Sequence, residues 1–169
     1  MSILEILIIP DKRLKYKSSI VEDFNSELEK TVKDMFDTLY ASGNGIGLAA
    51  PQVGITKRII VIDLKEEGKS NPITIINPKV INSSVENISN EEGCLSIPGY
   101  YANVERPKEI DVEWSDLKGN KIKKNCSGLL SICIQHEIDH LEGILFIDYL
   151  SKLKKKRALE KVKKNLKKE

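Results

Sequence analysis

The distribution of apolar and polar positions predicts short strands framed by helices. Leu28, Val32, Met35 and Leu39 recur at helical spacing. Ahead of them, Ser26-Glu27-Leu28-Glu29 has the capping-box form, in which Ser and Glu each satisfy a free backbone N–H. The pattern predicts an amphipathic helix over 27–41, ended by the turn residues Ser42-Gly43-Asn44-Gly45. Residues 58–64, Arg-Ile-Ile-Val-Ile-Asp-Leu, are rich in β-branched side chains with little polar alternation and read as a strand. Shorter strands follow at 73–80, 100–104, 110–114 and 121–124, with Leu117-Lys118-Gly119-Asn120 as a hairpin turn. The opening MSILEILIIP is apolar, but Glu5 interrupts it and no basic leader precedes it. It reads as a buried first strand rather than a secretory signal.

From Leu129 to Leu141 the chain is apolar on nearly every side, which predicts a buried central helix. Ser127 is placed to cap it and Gly143 to stop it. A second, exposed helix is expected from Ser151 onward. Strands first and a helix later, without βαβ alternation, indicate an α+β fold. The pattern thus points to antiparallel or mixed β-sheets wrapped around a buried central helix bearing His-Glu-x-x-His. An N-terminal amphipathic helix and a C-terminal basic helix complete a single domain over 1–169.

Composition sharpens this only in places. A charged fraction of 31% beside 40% hydrophobic residues fits an ordinary globular chain, and no apolar run approaches the roughly 20 residues that span a membrane. The net charge of +2 hides an asymmetry. Ser151–Glu169 holds ten Lys/Arg against two acids, or +8, which leaves −6 for the rest. Three cysteines, Cys94, Cys126 and Cys133, do not make a disulfide scaffold and point to a reducing compartment, where a thiolate can serve as a metal ligand.

The candidate chemistry lies in the central helix. His136-Glu137-Ile138-Asp139-His140 contains the only two histidines of the chain. One helical turn apart, both rings reach the same cation, and Glu137 borders it as a general base for a water. The spacing does not name a third protein ligand. Cys133 shares the face but lies about 10 Å along the axis from His140. Glu142 and Asp148 downstream, as in zincin-type metallopeptidases, and Cys94 in Glu91-Glu92-Gly93-Cys94-Leu95-Ser96 all remain open.

Gly45-Ile46-Gly47-Leu48-Ala49-Ala50-Pro51-Gln52 is a run of small residues that permits close backbone approach, without a phosphate-binding signature. GIGLAAPQ, EGCLS and QHEIDH, in this order and at these separations, resemble the three signature motifs of the peptide deformylases. The likeness extends from ILIIPDKRL through RIIVID and INP to LFIDYL. Members of that family remove the formyl group from the N-terminal formylmethionine of nascent polypeptides.

The resemblance implies Cys94, His136 and His140 as metal ligands, with Fe²⁺ as the ion and Zn²⁺, Ni²⁺ or Co²⁺ as substitutes. It implies Glu137 as the general base, and the Gln52 amide and Leu95 N–H as oxyanion donors. Leu129, Ile132 and Cys133 would line an apolar pocket for the methionine side chain, with Ile46 and Gly47 opposite. The substrate backbone would pair as an added strand with Ile46 and Gly93. Tyr101 stands where some bacterial members carry an arginine, and Glu92 and Arg106 are a candidate ion pair near the site. The implied partners are N-formylmethionyl nascent peptides and, through the basic C-terminal helix, the ribosome, with no membrane and no sequence-specific nucleic-acid contact. The implied location is a bacterial cytoplasm. The rival reading is a zincin-type metallopeptidase.

Overall fold

The computed structural model describes residues 2–168. Its frame is a five-stranded antiparallel sheet in the order β1 (Gly47–Ala49), β2 (Ile59–Ile62), β3 (Ile73–Ser83), β6 (Glu109–Ser115) and β7 (Lys121–Ser127). β4 (Asn87–Cys94) and β5 (Ile97–Pro107) form a separate antiparallel pair. Both sheets are antiparallel throughout. The one parallel pairing among the described residues is the isolated Ser19–Lys57 bridge, so the mixed alternative falls away.

The lack of polar alternation in β2 has a direct cause, because helices cover both its faces. Ile60 and Ile62 pack with Ile75, Ile110, Val112 and Trp114 against Cys133, Ile134 and Leu141 of α2 (Gly128–Leu141). Ile59 and Val61 pack on the other side against Leu28, Val32, Met35 and Leu39 of α1 (Ser26–Ala41). A third cluster joins Ile97 and Val104 of β5 to Leu7, Ile9, Leu14, Phe146 and Ile147. It also takes in Ala158 and Val162 of α3 (Lys152–Leu166).

Several local expectations shift. The cap of α1 is Asn25, whose side chain accepts from Leu28 N–H at 3.0 Å, so the helix starts one residue earlier than the Ser26–Glu29 capping box implied. Ser127 occupies the cap position of α2 but makes no side-chain cap bond. The opening segment contains no ladder strand. Leu7 and Ile9 are buried, and their N–H groups donate singly to Gln52 O and Ser96 O. β1 falls within the small-residue run, and β4 arises where no strand was expected. Gly143 ends α2 as anticipated, at φ 75°, where a Cβ would collide with the Lys15 carbonyl.

The end of β2 is fastened by Asp63. Its carboxylate accepts from Tyr40 Oη (2.8 Å), Ser70 Oγ (2.6 Å), and the N–H groups of Asn71 (3.0 Å) and Lys65 (3.2 Å). Burial raises this carboxyl, but the hydrogen bonds outweigh it, Ser70 and Asn71 first, and hold it at about 2 against an ordinary 3.8. A depressed folded-state pKa contributes stability above the unfolded value that is lost as pH falls toward the folded one. Asp63→Asn should therefore cost roughly 1–2 kcal/mol at pH 7 in urea titrations, and the gap to the parent should close between about pH 4 and pH 2.

Candidate metal centre and cleft

Three elements meet at one point. α2 presents His136 and His140, the C-terminal end of β4 presents Cys94, and the short 3-10 turn after β1, Ala50–Val53, presents Gln52. One ligand atom each from Cys94, His136 and His140 lie within 4.8 Å of one another, and Cys94 Sγ is 3.3 Å from His140 Nε2. A thiolate and two imidazoles so gathered form a donor set that one transition-metal ion can share.

Burial lowers His136, yet its contacts with Cys94 and Glu92 more than offset this and raise it well above the usual range. His140 is held neutral by burial and by the neighbouring His136 charge, as a ligand must be. Its Nδ1 is buried with no hydrogen-bond partner among the described residues.

Polar contacts fix the orientation of His136 and Gln52. His136 Nδ1 lies 2.8 Å from Glu92 Oε1, which leaves Nε2 for a metal. Arg106 clamps Glu92 through Nε and Nη2, and its Nη1 donates to Asp139 Oδ2 at 2.9 Å. Both members of the Glu92–Arg106 pair are buried, so the pair is internal rather than solvated. Gln52 is fixed by Ala49 N–H donating to Oε1 (2.9 Å), while its Nε2 donates to Cys94 Sγ (3.4 Å) and Ser96 Oγ (3.1 Å).

The remaining candidates surround a cleft of about 340 Å³, within the usual range for small-molecule sites. Gln52, Cys94, His136 and Glu137 lie at its inner end, and Leu95 joins the lining. Ile46, Gly47, Gly93, Leu129, Ile132 and Cys133 all border it, as does Tyr101 at the rim. Glu137 Oε2 is buried without a protein partner, and burial, above all, pushes this carboxyl up to about 7. Gly47 is required by close approach, because a Cβ there would sit 2.9 Å from both Glu137 Oε1 and Cys133 Sγ. Cys133 forms cleft wall, and burial raises its thiol well above the ordinary value.

The downstream acids are engaged elsewhere. Glu142 pairs with Arg58 and Lys17, and Asp148 pairs with Lys15 and Lys155. Neither acid joins the histidines, and among the described residues Cys94 is the third group gathered with them.

A family model described as Polypeptide deformylase matches residues 3–156. The chain belongs to the polypeptide deformylase family. A peptide deformylase of Zymomonas mobilis is 48% identical over 172 residues, covering 99% of this chain and 97% of that protein. Peptide deformylase 2 of Vibrio cholerae is 50% identical over 167 residues, covering 99% and 98%. Among solved structures, a peptide deformylase from Ehrlichia chaffeensis in complex with actinonin superposes with a TM-score of 0.93 at 46% identity, covering 98% of each chain. One from Legionella pneumophila gives 0.93 at 42%, covering 98% of this chain and 96% of that one. Deformylases are metal-dependent, in keeping with the Cys/His/His group.

The sequence singled out Gly93, Cys94 and the Glu92–Arg106 pair beside the site, but not the strand β4 that carries them, nor the continuation of the pair to Asp139. The signal available for the strand was the pair Glu91-Glu92 beside Gly93-Cys94, two acids next to a thiol. Because removing one partner strands a buried charge, Arg106→Ala should lower stability by roughly 3–5 kcal/mol in urea unfolding at pH 7.

Proposed function

We propose that this chain is a metal-dependent deformylase that hydrolyses the formamide of N-formylmethionyl nascent peptides and releases formate. The observation that carries the reading is the convergence of Cys94 with His136 and His140 at the floor of a cleft beside the buried, unpartnered Oε2 of Glu137. In this reading residues 1–169 act as one catalytic unit, and the sheets wrapped around the His-Glu-x-x-His helix hold the ligands still.

A divalent ion held by Cys94, His136 and His140 would supply Lewis-acid polarisation to water and to the formyl oxygen. We assign Fe²⁺ as that ion on the family resemblance, with Zn²⁺, Ni²⁺ or Co²⁺ able to occupy the same donors. Glu137 takes a proton from the attacking water at Oε2. As the C–N bond breaks, it delivers that proton to the departing amine, giving formate and a free N-terminus. Gln52 lies beside Cys94 with its carbonyl end anchored, so its amide N–H can turn to the developing oxyanion. Leu95 N–H is the second donor, and such donors are worth roughly 3–4 kcal/mol each.

The methionine side chain enters between Leu129, Ile132 and Cys133 on one side and Ile46 and Gly47 on the other. β1 is an edge of the five-stranded sheet and β4 an edge of the hairpin, and the cleft runs between them. A peptide laid there as a strand pairs through backbone groups with Ile46 and Gly93, which tolerates varied sequences after the methionine.

The cations of α3 are exposed on all but its buried Ala158–Val162 side, which suits docking on ribosomal phosphates. No helix among the described residues is long and apolar enough to cross a membrane, and we place the activity in a bacterial cytoplasm.

Anaerobically purified protein should contain one metal per chain and release formate from formyl-Met-Ala-Ser. Glu137→Gln should keep the metal and lose about 10²–10⁴ in kcat, and unchanged turnover would overturn the mechanism. Cys94→Ser should lose the metal, whereas a metal-replete, peptidase-active variant would favour a zincin. Since Ala158 and Val162 are core residues, charge reversal at Lys156, Lys163 and Lys164 tests docking better than deletion of the helix. Co-sedimentation with ribosomes at low salt should disappear in that variant.

A further inference from the structure

The polar contacts behind His136 continue past Arg106. We propose that Tyr149 is a positioning residue for His136, acting through Asp139, Arg106 and Glu92; this rests on Cys94, His136 and His140 being the metal centre. Tyr149 Oη donates to Asp139 Oδ2 at 2.8 Å, the same oxygen that accepts from Arg106 Nη1. Arg106 holds both oxygens of Glu92, and Glu92 Oε1 meets His136 Nδ1. The Tyr149 ring also lies under the guanidinium, 5.3 Å from ring centre to Arg106 Cζ. Tyr149 thus fixes Arg106 in two ways, by its face and through a shared carboxylate.

The segment that carries Tyr149 is itself tied to the site. In the 3-10 turn Phe146–Tyr149, Phe146 and Ile147 are buried, and the Phe146 ring stacks on His136 with centroids 6.1 Å apart. Asp148 accepts from Leu145 N–H, Lys15 and Lys155 of α3, which sets the orientation of the turn. One turn therefore holds His136 twice, by a ring on its face and by a polar chain to its Nδ1. Burial, then the Asp139 contact, pushes the phenol up to about 12, so it stays a donor at any working pH. An ordinary surface tyrosine would give its hydroxyl to water. This one is about half exposed, yet it gives the hydroxyl to a carboxylate already serving a buried guanidinium.

Tyr149→Phe removes only the donor and keeps the ring over Arg106. The test compares parent and variant loaded with Co²⁺, following metal release to excess chelator, the visible absorption of the bound cobalt, kcat and KM on formyl-Met-Ala-Ser, and the melting temperature of the metal-free protein. Substitutions behind metal ligands typically cost 10–100-fold in affinity or activity, and this one is several contacts removed. Expected are metal release about 3–10-fold faster, a shifted cobalt band and a comparable fall in kcat, with KM and apo-protein melting unchanged. Tyr149→Ala, which also removes the ring, should release metal faster still. A variant with the parent's release rate and kcat overturns the inference, and so does one whose only change is a lower apo melting temperature. If the parent itself fails to hold stoichiometric cobalt, the metal-centre reading falls first, whatever the variant does.

Discussion

A single buried carboxylate joins the two halves of the site. Glu92 belongs to the β4–β5 hairpin and His136 to α2, and these elements share no ladder hydrogen bond. Glu92 meets His136 with one oxygen and uses both on Arg106, so an ion pair joins the hairpin to α2 beside the apolar packing of Cys94 and Phe146. Burying such charges is costly unless every donor and acceptor is matched, and here the matching extends to Asp139. An apolar substitute would pack as well but would leave His136 Nδ1 without a partner and the ring free to turn.

The remainder of the fold serves that junction. β2, covered on both faces, is a rigid spine, and β1 hangs from its edge with Gly47 against α2. The hairpin takes its rigidity from another source, the cluster of Ile97, Val104, Phe146 and Val162 that binds it to the C-terminal segments. Between the two supports lies the cleft, with Cys94, His136 and Glu137 at its inner end and backbone edges along its sides. Chemistry is thereby confined to groups with little freedom to move, as preorganised catalysis requires.

What was legible in the sequence follows from how local each determinant is. The buried helix and β2 declare themselves because their apolar patterns are fixed by nearest neighbours. His136 and His140 are adjacent through helix geometry alone, and Gly143 marks a local conformation. β4 hides because its residues 87–92 are mostly polar, as suits a strand in a two-stranded ribbon with one open side. The opening residues look like a strand because they are apolar, but they cover a core without joining a ladder. Asn25 beats Ser26 to the helix cap, a choice between adjacent residues that composition does not resolve. The Glu92–Arg106 pair was legible, but the links onward to Asp139 and Tyr149 were not, since they exist only when residues distant in sequence come together.

Gly47 has a bearing on how this enzyme can answer chemical attack. The inner end of the cleft gathers Cys94, His136 and Glu137, with Gly47 packed closely against Glu137 and Cys133. A toxin filling that end meets mostly side chains that the proposed reaction uses. Change is easier at the rim, where Glu91 and Tyr101 stand exposed and make no hydrogen bond to Cys94, His136 or His140. Compounds that reach outward to those side chains would gain contacts at the expense of durability, whereas compact ones confined to the floor leave selection little to act on.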